Sequence, residues 1–130
     1  MRVSPMFAAL FLVAQGSLNP AVTQATIHKT ICVKGWTETV RPPLEWSHAL
    51  KIKLIQDGKH PGTISDYELD HFIPLELGGC AKCKTNLWLQ PWGEASIKDL
   101  DENRLHDAVC AGSMTLKAAR EEMRSRWRMH

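Results

Sequence analysis

The sequence predicts an α+β domain, a two-stranded ribbon packed on helices and stapled by disulfides. Three observations carry this. Residues 67–88 read as two short strands around a turn rich in proline and glycine. Residues 45–56 and two later stretches repeat apolar side chains at helical spacing. Four cysteines (Cys32, Cys80, Cys83, Cys110) are an even number in a chain that opens with an export-like leader.

The leader comes first. Arg2 precedes an apolar run over residues 6–14, of signal-peptide length. A membrane-crossing helix needs roughly twenty apolar residues, so this run is too short to span. Pro20 and the small residues after it suit a processing region. Thr23-Gln24-Ala25 forms a cleavage site, with cleavage nearer Ala14 as the alternative. The expectation is a signal peptide over 1–25 and one domain over 26–130, secreted or periplasmic, with no membrane segment in the mature form. That domain, about 105 residues, has a modest core and gains from a staple.

In an oxidising compartment the four cysteines read as disulfides, and four allow three pairings. The favoured one joins Cys32 to Cys110, tying the N-terminal segment to a late helix, and leaves Cys80–Cys83 as a local clip. A zinc site on the Cys-x-x-Cys pair is the alternative. The net charge of +2 falls to about +1 without Arg2, which excludes a strongly basic nucleic-acid binder. Cationic residues cluster only locally, as at Lys51 and Lys53, Lys82 and Lys84, and Arg120 through Arg128.

Residues 26–43 read as irregular or short-stranded, and Arg41-Pro42-Pro43 ends them in extended backbone. Over 45–56, Trp46, Leu50 and Leu54 recur every four residues, with Gly58 placed to cap the end. His60-Pro61-Gly62 is a loop. The first strand ends at Asp70-His71, and Asn86 leads the second. Ser96 with Asp99 three residues on signals a helix start. On that helix Ile97, Leu100, Leu105, Ala108 and Val109 share one face, and Asp99, Glu102, Asn103, His106 and Cys110 the other. Ala111-Gly112 closes it, Thr115 caps the next, and Leu116, Ala119, Met123 and Trp127 form the last buried stripe.

The chemistry points to phosphodiester hydrolysis. That reaction needs an activated water, neutralised phosphoryl oxygens and help for the leaving oxygen. An unprotonated imidazole supplies the first, and a divalent cation the others. Adjacent residues at a strand end point to opposite sides, so one of Asp70 and His71 can bind metal while the other meets substrate. Asn86 can hold the hairpin loop or orient the His71 ring.

Asp70-His71-Phe72-Ile73-Pro74-Leu75, then Gly78-Gly79, then Asn86-Leu87 resembles the HNH (ββα-metal, His-Me finger) endonucleases. Their core has a histidine ending the first strand, a Gly-Gly turn, an asparagine starting the second strand, and a metal ligand on the following helix. Trp88-Leu89-Gln90-Pro91, Lys98-Asp99, Glu102, Leu105-His106, Val109-Cys110 and the closing helix look like a group of small exported bacterial proteins with an HNH-like signature. Cys32-Val33-Lys34-Gly35 and Arg41-Pro42 resemble their N-terminal part, so the likeness covers nearly all of the chain after the leader.

The resemblance implies a ββα-metal core with flanking helices. His71 would be the general base, Asp70 a metal ligand and Asn86 the structural asparagine. The cofactor would be one divalent metal ion, Mg²⁺ first, with Mn²⁺, Zn²⁺ or Ni²⁺ as alternatives. The products would carry a 5′-phosphate and a 3′-hydroxyl, from DNA more than RNA. The chain departs from the family at the helix ligand. Where many members place His or Asn, it reads Gly93-Glu94-Ala95-Ser96. His106 is the first candidate and Glu102 the second, with Asp99 on the same face. Lys98 is the alternative, a fixed cation beside the phosphate that takes the ligand's place. Arg41 is a further candidate for neutralising phosphate.

Three functions compete: a weakly specific, salt-sensitive endonuclease; a scaffold that lost its chemistry and binds nucleic acid or a protein; and a toxin-like nuclease with an inhibitor protein. The sequence leaves oligomeric state open.

Overall fold

The computed structural model describes residues 16–127. The apolar run over 6–14 and a cleavage point near Ala14 lie outside the described residues. Residues 16–25 are part of the packed domain. Gly16 N donates to Thr85 O at 3.0 Å, Leu18 bridges Gly79, and Asn19 N donates to Gly78 O at 2.8 Å. Val22 is buried in the core, and Gln24 Oε1 accepts from Leu116 N at 2.8 Å. A domain beginning at residue 26 would lack these contacts. Cleavage nearer Ala14 leaves them whole.

The segment 26–43, expected to be irregular or short-stranded, is built of helical turns instead. A 3-10 turn, Gln24–Lys29, is opened by Thr23 and Thr26, whose side chains and backbones cap each other reciprocally. It buries Ile27. Helix α1 (Trp36–Val40) follows Gly35, and extended Arg41 stops it before Pro42 and Pro43. Helix α2 (Leu44–Gln56) then runs as its spacing predicts and ends at Asp57 and a left-handed Gly58.

Strands β1 (Tyr67–His71) and β2 (Leu87–Pro91) pair antiparallel, with Asp70 opposite Trp88 and His71 opposite Leu87. Asn86 ends a 3-10 turn (Lys84–Asn86) immediately before β2 rather than leading the strand.

Helix α3 (Trp92–Cys110) departs most from its sequence pattern. It starts at Trp92, straight after Pro91, and not at Ser96. Proline's fixed φ favours this entry, and its missing N–H costs nothing at a helix start. Ser96 is already one turn inside, where its Oγ donates to Trp92 O at 3.0 Å. Ile97 and Leu100, expected to be buried, are 61% and 70% exposed. The inward stripe is Ala95, Lys98, Glu102, Leu105 and Val109, an alternating spacing of three and four that keeps one face inward. Helix α4 (Leu116–Arg126) is capped by Thr115, whose Oγ1 accepts from Ala118 N, and buries Leu116, Ala119 and Met123. Trp127 packs against the core's edge and donates through Nε1 to Asp101 at 2.9 Å.

The core gathers Val22, Ile27 and Ile31 with Phe72, Ile73, Leu77 and Trp88, closed by α3 and α4. Both favoured disulfides form, Cys32–Cys110 across 78 residues and Cys80–Cys83 across three. Among the described residues no helix is long and apolar enough to cross a membrane.

Candidate functional site

The hairpin loop that carries the site is built around one asparagine. Asn86 is fully buried. Its Oδ1 accepts from Ile73 N at 2.8 Å, while its Nδ2 donates to Ile73 O and Cys80 O, both at 3.0 Å. Both N–H donors of that amide and one lone pair of its oxygen are thus spent on loop backbone. Of the two roles the sequence allowed it, the structure fits the first: Asn86 holds the loop and does not touch the His71 ring. Gly79 makes this packing feasible. A Cβ there would collide with the Ile73 carbonyl and crowd Asn86 Nδ2.

His71 ends β1. Its Nε2 lies 2.9 Å from Ala81 O. A carbonyl oxygen only accepts, so Nε2 carries the proton and Nδ1 keeps the lone pair. Burial pulls the imidazole below the ordinary histidine value, against the Ala81 hydrogen bond and the Asp70 charge. At neutral pH this ring is an uncharged base.

Asp70 faces the other way, onto α3. Lys98 Nζ lies 2.8 Å from Asp70 Oδ2 and 2.6 Å from Glu102 Oε2, and donates to His71 O at 2.9 Å. Trp88, across the ladder, adds its indole N–H to Asp70 at 3.3 Å. Three acceptors match the three ammonium protons of a side chain that is fully buried. Burial opposes the charge, yet Asp70 and Glu102 together hold Lys98 above the ordinary lysine value. The two carboxylates share that single cation. Burial pushes Glu102 up to about 8 against the pull of Lys98, and Glu68 to about 7 with help from Asp70.

A cleft of about 590 Å³ runs along β1 between the Arg41–Pro42 turn, the start of α2 and the face of α3. Asp70, His71, Glu102 and Arg41 line it, as do Asp99 and two carboxylates the sequence reading did not single out, Glu68 and Glu76. Burial raises Glu76 and Asp99 as well. Glu68 was legible: residues two apart on a strand share a face, so Glu68 belongs beside Asp70. Glu76 had no local signal, because a 3-10 turn, Leu75–Leu77, brings it to the cleft.

Two candidates are placed elsewhere. Lys98 lies beneath the cleft with all its protons engaged and presents no charge to a bound phosphate. His106 sits one turn past Glu102, with Nε2 2.7 Å from Ile31 O and 3.5 Å from Cys110 Sγ. It ties α3 to the N-terminal segment beside the long disulfide.

The donor set expected for a divalent metal was Asp70, Glu102 and His106. It does not fit one here. The Lys98 ammonium takes one oxygen of each carboxylate, Asp70 Oδ2 and Glu102 Oε2, and the Ile31 carbonyl takes His106 Nε2 a turn further along α3. Among the described residues no group of three or more His, Cys, Asp or Glu side chains is arranged to hold a metal ion.

Compared with known proteins, the chain matches no family model, no curated sequence and no solved structure.

Proposed function

We propose that this protein is an exported endonuclease of the HNH type that hydrolyses phosphodiester bonds, in DNA more than RNA. The observation that carries the reading is the state of His71, a neutral imidazole on the cleft wall whose Nε2 is tied to Ala81 and whose Nδ1 is left basic. Water held at Nδ1 loses a proton to the ring as its oxygen attacks phosphorus. The bond to the 3′-oxygen breaks, and the proton returns to that oxygen, leaving a 5′-phosphate and a 3′-hydroxyl. Arg41, with its side chain 53% exposed at the cleft, is the guanidinium available to phosphoryl oxygens. Asn86 and Lys98 act behind the surface, the first fixing the loop and the second anchoring β1 to α3. The two disulfides suit export, and processing before Gly16 keeps the whole domain.

A second reading has a specific observation in its favour. The cleft is lined by five acidic side chains (Glu68, Asp70, Glu76, Asp99 and Glu102) against Arg41 and a neutral His71, and those that keep their charge at neutral pH repel a polyanion. A scaffold that kept the hairpin and lost cleavage would look like this.

Plasmid DNA incubated with the oxidised protein separates the two, with Mg²⁺, Mn²⁺, Zn²⁺, Ni²⁺ or EDTA in parallel. Nicking under any of these conditions supports the nuclease. Folded protein that leaves the plasmid intact under all of them moves the reading to the scaffold.

A further inference from the structure

The Cys80–Cys83 disulfide closes a ring of four residues, Cys80-Ala81-Lys82-Cys83, directly beside the candidate base. Two carbonyls of this short ring point at the site. Ala81 O meets His71 Nε2 at 2.9 Å, and Cys80 O meets Asn86 Nδ2 at 3.0 Å. Both ends are pinned from outside, by Cys80 N donating to Ser17 O at 2.9 Å and Asn86 N donating to Cys83 O at 2.8 Å. Between those pins the sulfur–sulfur bond closes the ring around the peptide that carries the Ala81 carbonyl, with Asn86 Nδ2 on Cys80 O and Lys82 Nζ 5.6 Å from the Trp46 ring centroid as its other restraints. So short a ring removes little entropy from the unfolded chain compared with the 78-residue span of Cys32–Cys110. Its effect is local geometry.

We infer that the Cys80–Cys83 disulfide is a positioning element: it aims the Ala81 carbonyl at His71 Nε2 and thereby fixes which ring nitrogen is the base. The inference rests on reading His71 as that base. An imidazole whose Nε2 loses its acceptor exchanges its proton between both nitrogens, and the fraction with a lone pair on Nδ1 falls. Opening the clip is a simple exchange. A dithiol gives up two electrons and two protons, becomes a disulfide itself, and leaves two thiols at Cys80 and Cys83. Both cysteines are half-buried rather than sealed in the core. The domain thus works as an oxidised protein and loses the setting of its base where thiols prevail.

The test compares wild type with Cys80→Ala/Cys83→Ala, which keeps Cys32–Cys110. The primary readout is the nitrogen NMR spectrum of the His71 ring at fixed pH, which reports the tautomer without requiring cleavage. It therefore stands even if the protein proves not to be a nuclease. Wild type is expected to show a single Nε2–H tautomer, and the double variant a mixture. If cleavage occurs, kcat falls on the order of tenfold or more in the variant while KM stays within about twofold. Cys32→Ala/Cys110→Ala is the control, expected to lose stability but keep the tautomer. A single Nε2–H tautomer in the folded clip variant overturns the inference. If that variant does not fold, wild type titrated with dithiothreitol gives the same decision. The His71 signal should change in step with the opening of Cys80–Cys83, and a signal unchanged once the clip is open overturns the proposal.

Discussion

The first half of α3 turns Ala95, Lys98 and Glu102 inward, and the second half turns Leu105 and Val109 inward. Both halves form one continuous stripe, yet they are held by opposite physics. The second half is ordinary core, with Leu105 and Val109 fully buried among Ile27, Ile31, Ala119 and Met123 and the long disulfide at its end. The first half buries an ammonium between two carboxylates and carries the cleft above it. A buried ion pair is a poor way to gain stability, because desolvation offsets most of the attraction. What it does well is fix geometry: one Lys98 nitrogen binds the Asp70 side chain, the His71 carbonyl and the next turn of its own helix. One half makes the domain stable, and the other sets where β1 ends relative to α3.

Removing Lys98 sharpens this contrast most. Lys98→Met keeps the volume and strands two carboxylates, at a cost of about 3–5 kcal/mol near pH 8 in urea unfolding. The deficit should shrink at pH 5, where Glu102, freed of the pull of Lys98, carries a proton and needs no counter-charge. Leu105→Ala should cost about 2–5 kcal/mol by lost contacts and cavity, equally at both pH values. A pH-independent deficit for Lys98→Met would break the comparison.

A finer test uses Glu102. Its pKa is raised in the fold to about 8 from an ordinary 4.5. The folded chain therefore keeps a proton that the unfolded chain releases. The resulting stability is complete below about pH 4.5 and disappears as pH rises through 8. Wild type should accordingly lose melting temperature between pH 5 and pH 8.5. Glu102→Gln, which cannot titrate, should lose less over the same interval, with Glu68, raised to about 7, contributing to the remaining slope. Equal losses in the two proteins would remove Glu102 from the explanation. The smallest expected effects are on the outer face. Ile97→Ser and Leu100→Ser should each change stability by less than about 0.5 kcal/mol, since both side chains are mostly in water.

That last pair marks where the sequence misleads. The hairpin, α2, α4 and the Cys80–Cys83 clip were legible because their signals are local: glycine and proline at the turns, Leu50 and Leu54 on one face, Thr115 as a cap. Cys32–Cys110, across 78 residues, followed only once the clip was paired. The α3 face was not, since apolar periodicity assigns Ile97 and Leu100 inward and treats Lys98 and Glu102 as solvated. The three-and-four spacing back from Val109 and Leu105 reaches Glu102, Lys98 and Ala95, but reading it requires accepting a buried lysine. Residues 16–25 were hidden for another reason. The small residues after Pro20 suit a processing site, yet among them Val22 is buried in the core and Gln24 accepts from Leu116 N, 92 residues on. At the site, the sequence placed Asp70 and His71 at the end of β1 and Asn86 at the loop, but it assigned Asp70 a metal where the fold gives it Lys98. His106 was legible only as a side chain on the correct helix, and its carbonyl partner, Ile31, lies 75 residues away.

The measurement that tests the account most directly is the plasmid cleavage rate of His71→Ala beside wild type, with the unfolding midpoint of each recorded. With the imidazole as the proposed base, the rate should fall about 10²–10⁴-fold, while the protein remains folded on its Lys98 anchor and its α3–α4 core. Cleavage at the wild-type rate by folded His71→Ala would contradict the account and move the chemistry away from this cleft.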